Sequence, residues 1–141
     1  MEQRLTIVGL GVNDLEVSSQ FYEEKFGWTK MKSSNDGITF FQLNGMLLSL
    51  YPKEKLAEDA TVPSEGNGFK GFTLAFNTRT KKEVDELIET LEAKDVKVIK
   101  RPEDVFWGGY SGYIADPDEN LWEIAFNPFL PLDENGNTIE E

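Results

Sequence analysis

Glu123 stands between Trp122 and Ile124 in the run Leu121-Trp122-Glu123-Ile124-Ala125-Phe126, whose other members are all apolar. A carboxylate in such a strand is costly unless it is paired, hydrogen-bonded or bound to a cation. Desolvated, it is a candidate general base toward an activated C–H bond, or an anchor for a cationic ligand. Hydrogen-bonded to a Tyr or Trp, it is a structural remnant, and the residues alone leave both readings open. Ring side chains that could supply flat, partly polar surface are Phe72, Phe76, Trp107, Tyr110 and Tyr113. Trp107 adjoins Gly108-Gly109, where backbone must turn or pass closely, so it reads equally as a loop anchor and as a recognition surface. Lys100 and Arg101 could meet an acidic group of a substrate or simply close a strand in solvent.

The rest of the inventory narrows the chemistry. Among 141 residues there is no Cys and no His, which excludes disulfides, thiolate nucleophiles, thiolate metal sites and the usual general base near neutral pH. Carboxylates, Lys, Tyr, Ser, Thr or a borrowed cofactor must do any work. Gly9 and Gly11 lack the third glycine of a dinucleotide fingerprint, no Ser has a His partner, and no phosphate loop is present. A net charge of −12 disfavours nucleic acid and anionic membrane surfaces as partners. No segment is long enough to span a bilayer, and Met1-Glu2-Gln3-Arg4 runs into a strand without an apolar leader. A soluble cytoplasmic protein with a small-molecule partner is the expectation.

The elements that must position these residues follow from periodicity. Leu5 to Val12 predicts a strand, and Asn13-Asp14-Leu15-Glu16 a helix start with Asn13 as cap. Val17 and Phe21, then Tyr22 and Phe26, make i,i+4 pairs before Gly27 stops the helix. Strands are predicted at Thr29 to Lys32, Ile38 to Leu43 and Met46 to Tyr51, with Asn44-Gly45 as a hairpin turn. The order β-α-β-β-β then recurs. Gly71 to Asn77 predicts a strand, Thr80-Lys81-Lys82-Glu83 a capping box, and Val84, Leu87, Ile88 and Leu91 one apolar helix face. Val96 to Lys100, Gly112 to Ala115 and Leu121 to Phe126 complete the second set, with Asp116-Pro117-Asp118-Glu119-Asn120 as the last turn. One domain over residues 1–141 is expected, with module 1 at about 4–52, a linker at 53–69, module 2 at about 70–128 and an acidic tail at 129–141. A helical turn is predicted at Lys53 to Ala57, the linker with its Pro63-to-Gly68 turn could act as a flap, and the tail either frays or packs on a partner subunit.

The duplicated module, Gly11-Val12-Asn13-Asp14-Leu15 opening the first helix, Asp116-Pro117-Asp118 before the last strand and the acid in Trp122-Glu123-Ile124 together resemble the vicinal oxygen chelate superfamily. That superfamily includes glyoxalase I, fosfomycin-resistance enzymes, extradiol dioxygenases and bleomycin-resistance proteins. The run from Phe106 to Tyr113 is similar to a branch known as glyoxalase-like. The resemblance implies an α+β fold of two tandem βαβββ modules forming a curved, partly open mixed β-sheet barrel, and it implies a homodimer. It also implies two metal ligands from the first and last strands of each module, positions that fall here on Ile7, Leu47 or Leu48, Phe72 and Glu123. Ser49, Thr73 and Gln42 could add only neutral oxygens, so no divalent metal or other cofactor is expected. With Glu123 turned to the cavity, Phe72, Leu74 and Phe76 would form an aromatic wall opposite it. The implied function is binding of a small apolar or aromatic molecule in the cavity between the modules. Two alternatives stand beside it: a glyoxalase-related lyase or isomerase, or dioxygenase-related enzyme, using Glu123 as base or weak metal ligand; and a non-catalytic structural or regulatory module whose cavity is filled by its own Phe side chains.

Overall fold

The computed structural model describes residues 1, 3, 6–66, 68–70 and 72–139. Leu5 and Gly71, expected to open the first strand of each module, lie outside the described residues, as do Glu2, Arg4, Asn67, Glu140 and Glu141. The chain divides into two compact units, Met1–Gly68 and Phe69–Glu141, each carrying its own open sheet.

The first unit contains β1 (Ile7–Val12), α1 (Leu15–Glu24), β2 (Thr39–Gln42), β3 (Leu47–Pro52) and α2 (Lys53–Asp59). Its sheet has the order β1-β3-β2, with β1 parallel and β2 antiparallel to β3. Asp14 caps α1 in place of the expected Asn13, its Oδ1 accepting the Val17 N–H at 3.0 Å. The predicted strand at Thr29 to Lys32 is reduced to a single bridge between Lys30 and Phe41. A side chain competes there: the Phe40 N–H donates to Ser34 Oγ at 2.9 Å and is lost to the ladder. The hydroxyls of Ser19 and Thr39, 2.7 Å apart, tie α1 to the face of the sheet that carries Leu48 and Leu50. Tyr22 is fully buried on this side, stacked on Trp28 at 5.5 Å and within 5.8 Å of Phe41.

The second unit contains β4 (Leu74–Thr78), α3 (Lys81–Ala93), β5 (Lys97–Asp104), β6 (Tyr110–Ala115) and β7 (Leu121–Phe126). Its order is β4-β7-β6-β5, with β4 parallel to β7 and the other pairs antiparallel. Both units therefore pair their first strand in parallel with their last, so the repeat seen in the sequence is a repeat of topology. The capping box forms as expected, with Thr80 Oγ1 accepting the Glu83 N–H and Glu83 Oε2 accepting the N–H groups of Thr80 and Arg79. Val84, Ile88 and Leu91 on α3 and Ile114, Trp122 and Ile124 on the sheet are buried and form this unit's core. Among the described residues of the tail, Leu132 bridges Thr138, Asp133 Oδ1 accepts the N–H groups of Asn135 and Asn137, and Arg79 donates to the Asp133 carbonyl at 2.6 Å. Among the described residues no helix is long and apolar enough to cross a membrane.

Candidate functional site

Side chains alternate across a strand, so the register of β4, β7, β6 and β5 decides what accompanies Glu123. Glu123 pairs with Ala75 on β4 and with Tyr113 on β6, and Tyr113 pairs in turn with Lys100 on β5. These residues form one row on the face turned away from α3. The opposite face carries Trp122 and Ile124, and helix α3 covers it: a Cβ on Gly112, the partner of Ile124, would meet Ile88 Cδ1 at 2.8 Å.

Glu123 is half-buried, and no hydrogen bond or ion pair joins its carboxylate to any described residue. The remnant reading, in which a Tyr or Trp holds it, therefore has no such bond among the described residues. Tyr113 is its direct neighbour, and burial, reinforced by the Glu123 charge, raises the Tyr113 phenol above its ordinary range while Lys100 opposes the rise. Lys100 donates to Glu103 at 2.7 Å, and this contact, aided by Glu103, Tyr113 and Glu123 as nearby acids, holds its ammonium above the usual lysine value.

The other anticipated residues go elsewhere. Leu74 and Phe76 pair with Trp122 and Ile124, which puts them on the α3 side and not opposite Glu123. Phe76 is 49% exposed at the edge strand, and Phe72, 40% exposed, precedes β4. Tyr110 pairs with Phe126, also on the α3 side, and its hydroxyl donates to Asp85 Oδ1 of that helix at 2.6 Å. That bond, with burial and the Asp85 charge, pushes the Tyr110 phenol up to about 12. The Lys81 ammonium lies 5.6 Å from the centre of its ring. Trp107 folds its indole over Gly109, where a Cβ would stand 1.9 Å from Cη2, so no larger residue fits beneath it. Only Tyr113, of the anticipated ring side chains, shares the Glu123 row.

Lys100 and Arg101, adjacent in sequence, are separated by the structure. Arg101 is engaged by both carboxylate oxygens of Glu92 on α3, whereas Lys100 joins the Glu123 row.

The internal repeat locates the counterpart of Glu123 in the first unit. The parallel ladders end at Val12–Pro52 and Thr78–Phe126, each two residues before a helix cap. Counting back equally from those ends matches Ala75–Glu123 with Gly9–Ser49. Ser49 is 7% exposed, whereas Leu48 faces α1. The residues in these positions are thus two without a donor, one hydroxyl and one carboxylate. Ile7 and Leu47, paired with each other, offer only hydrocarbon. Among the described residues no group of three His, Cys, Asp or Glu is arranged to hold a metal ion. Such a donor set does not fit the divalent centre that the resemblance implies.

Known proteins bear the same architecture. The chain is 37% identical to a solved glyoxalase-related enzyme from Fulvimarina pelagi, covering 99% of each chain with a TM-score of 0.87. It is 25% identical to a lactoylglutathione lyase from Agrobacterium tumefaciens, covering 89% of this chain and 95% of that one with a TM-score of 0.70. It is 30% identical to the uncharacterized protein YqjT of Bacillus subtilis (strain 168), over 84% of this chain and 94% of the relative. Residues 4–124 match the family as a whole, and the chain belongs to the Glyoxalase/Bleomycin resistance protein/Dioxygenase superfamily.

Proposed function

We propose that the face of the second unit's sheet carrying Glu123 binds a small, largely apolar or aromatic molecule, without a resident metal ion or other cofactor. The observation that carries this reading is the Glu123 carboxylate, half-buried on a strand and bonded to no described residue. With no donor among the described residues and part of its surface open, the carboxylate keeps its oxygens available to a ligand donor that reaches this face. Tyr113 beside it offers an aromatic face and a hydroxyl, while Ala75 and Ala125 leave the neighbouring surface low. Phe76, on the other side of the sheet, does not fill the space before Glu123, which weighs against a module plugged by its own rings. The half-exposed Phe76 on edge strand β4 and Phe72 just before it support a homodimer, and the absence of Cys supports a cytoplasmic setting.

Thermal shift against thiol conjugates, aromatic acids and cationic antibiotics tests the reading through mass action. At least one class is expected to raise the melting temperature increasingly with concentration, and Tyr113→Ala to blunt the rise. Absence of any shift at millimolar concentration across all three classes would refute it.

The same free carboxylate, with the likeness to a glyoxalase-related enzyme, favours a second reading as a lyase or isomerase. Glu123 would take a proton from an activated C–H bond and return it to the neighbouring carbon. Under this reading Glu123→Gln abolishes turnover and leaves binding of a neutral ligand nearly intact; under sequestration alone the unaltered protein has no turnover to lose.

A further inference from the structure

Val98 on β5 pairs with Ile114 on β6, so an unbroken ladder would place Ile99 opposite Tyr113. Lys100 stands there instead. The register shifts once between Val98 and Lys100 and again before Glu103 meets Ser111. A bulge of this kind sets two residues opposite one and re-aims a side chain, and here it brings Lys100 into register with Tyr113 in the row that holds Glu123 and leaves Ile99 without a partner in the ladder. Gly112 permits the detour, because a Cβ there would come within 2.8 Å of the Lys100 carbonyl and 2.9 Å of the Pro102 nitrogen.

The geometry points to Lys100 as the specificity-determining cation of the Glu123 face, holding the carboxylate of a small organic acid whose apolar body lies along Tyr113. The assignment rests on the reading that this face binds a small molecule. Charge along the row is ordered: ammonium on β5, phenol on β6, carboxylate on β7. Successive strands lie about 4.8 Å apart, so the backbones that carry the two charges are about 10 Å apart. Glu123 repels the carboxylate of an incoming acid and Lys100 attracts it, which orients the ligand with any hydrogen-bond donor toward Glu123. Lys100 is engaged by Glu103 in the free protein, but both side chains are exposed, at 44% and 59%. Exposed ion pairs of this kind are weak, so a ligand carboxylate can take the place of Glu103. Arg101, next in sequence, turns to Glu92 on α3, on the side away from the Glu123 row, and leaves Lys100 to meet the anion.

Three matched pairs of probes test this: phenylacetate, indole-3-propionate and 4-phenylbutyrate, each against its primary amide, by titration calorimetry on the full chain. At least one acid should bind about tenfold more tightly than its amide. Lys100→Gln should bring that acid to the level of the amide while leaving the amide unchanged, and Lys100→Arg should restore most of the preference. Glu103→Gln, which removes the competing carboxylate, should tighten the acid several-fold. Acid and amide binding equally in the unaltered protein, or a preference that survives Lys100→Gln, overturns the role of Lys100 and leaves the binding reading standing. Failure of all six compounds to bind also overturns this inference, and the binding reading is then decided by the thermal-shift panel.

Discussion

Gly112 and Lys100 approach so closely across neighbouring strands that a methyl group on the first would stand 2.8 Å from the carbonyl oxygen of the second. Ile88 Cδ1 lies at the same distance from that methyl position on the helix side. The isoleucine could turn aside, but the Lys100 and Pro102 backbone atoms belong to the bulge itself and have no such freedom. Gly112→Ala should therefore destabilise the protein by about 1–3 kcal/mol, as overpacked sites do. Urea unfolding measures this, and an unchanged midpoint would mean that β5 has room to retreat.

The bond from Tyr110 to Asp85 gives stability a dependence on high pH. The folded phenol titrates at about 12 against an ordinary 10.0, so folding favours its protonated form. That contribution is complete below pH 10 and is lost as pH rises through about 12. Tyr110→Phe should cost about 1 kcal/mol at neutral pH. It should also flatten the decline in stability between pH 10 and pH 12, a window set by the same shift. Denaturant melts of both proteins across that range provide the check, and parallel declines would exclude the tether.

Trp107 and Gly109 should behave as one unit. Gly109→Ala puts a methyl group where the indole now lies, so the ring must leave. The expected result is a changed near-ultraviolet circular dichroism signal with the far-ultraviolet spectrum preserved. Phe129, whose Cε2 would lie 3.3 Å from a Cβ on Gly108, packs on the adjacent residue of the same loop. An unaltered aromatic signal in Gly109→Ala would show that the indole does not rest there in solution.

Metal content tests the proposal that this face works without a resident ion. Elemental analysis of purified protein is expected to find no stoichiometric Zn, Ni, Mn or Fe, and added ions should not raise the melting temperature. About one tightly held ion per chain would contradict the reading of Glu123 as a ligand-facing carboxylate.

Features set by neighbours in sequence were legible before the structure. The capping box at Thr80 and Glu83, the apolar stripe of α3 and the Asn44-Gly45 turn, with Gly45 at φ +72, each depend on residues a few positions apart. The α1 cap moved by one residue because Asn13 and Asp14 are both capable acceptors and the choice depends on where the helix begins. Thr29 to Lys32 does not form the strand its residues predict, because Ser34, outside the run, takes the Phe40 N–H that a ladder would need. Tyr110 and Tyr113 could have been separated from sequence had the strand been started at Tyr110 rather than Gly112, since residues three apart on a strand face opposite ways.

By itself the sequence determined which chemistry is available: one acid in an apolar strand, no imidazole, no thiolate, and two modules built on the same pattern. Only the tertiary structure decided which residues accompany that acid, because register between strands is set by hydrogen bonding and packing across elements far apart in the chain. Parallel pairing with β4 put Ala75 beside Glu123 and sent Phe76 to the helix side, while the bulge in β5 brought Lys100 into register with Tyr113. A shift of one residue exchanges the two faces of a strand, and nothing local to either strand reports it.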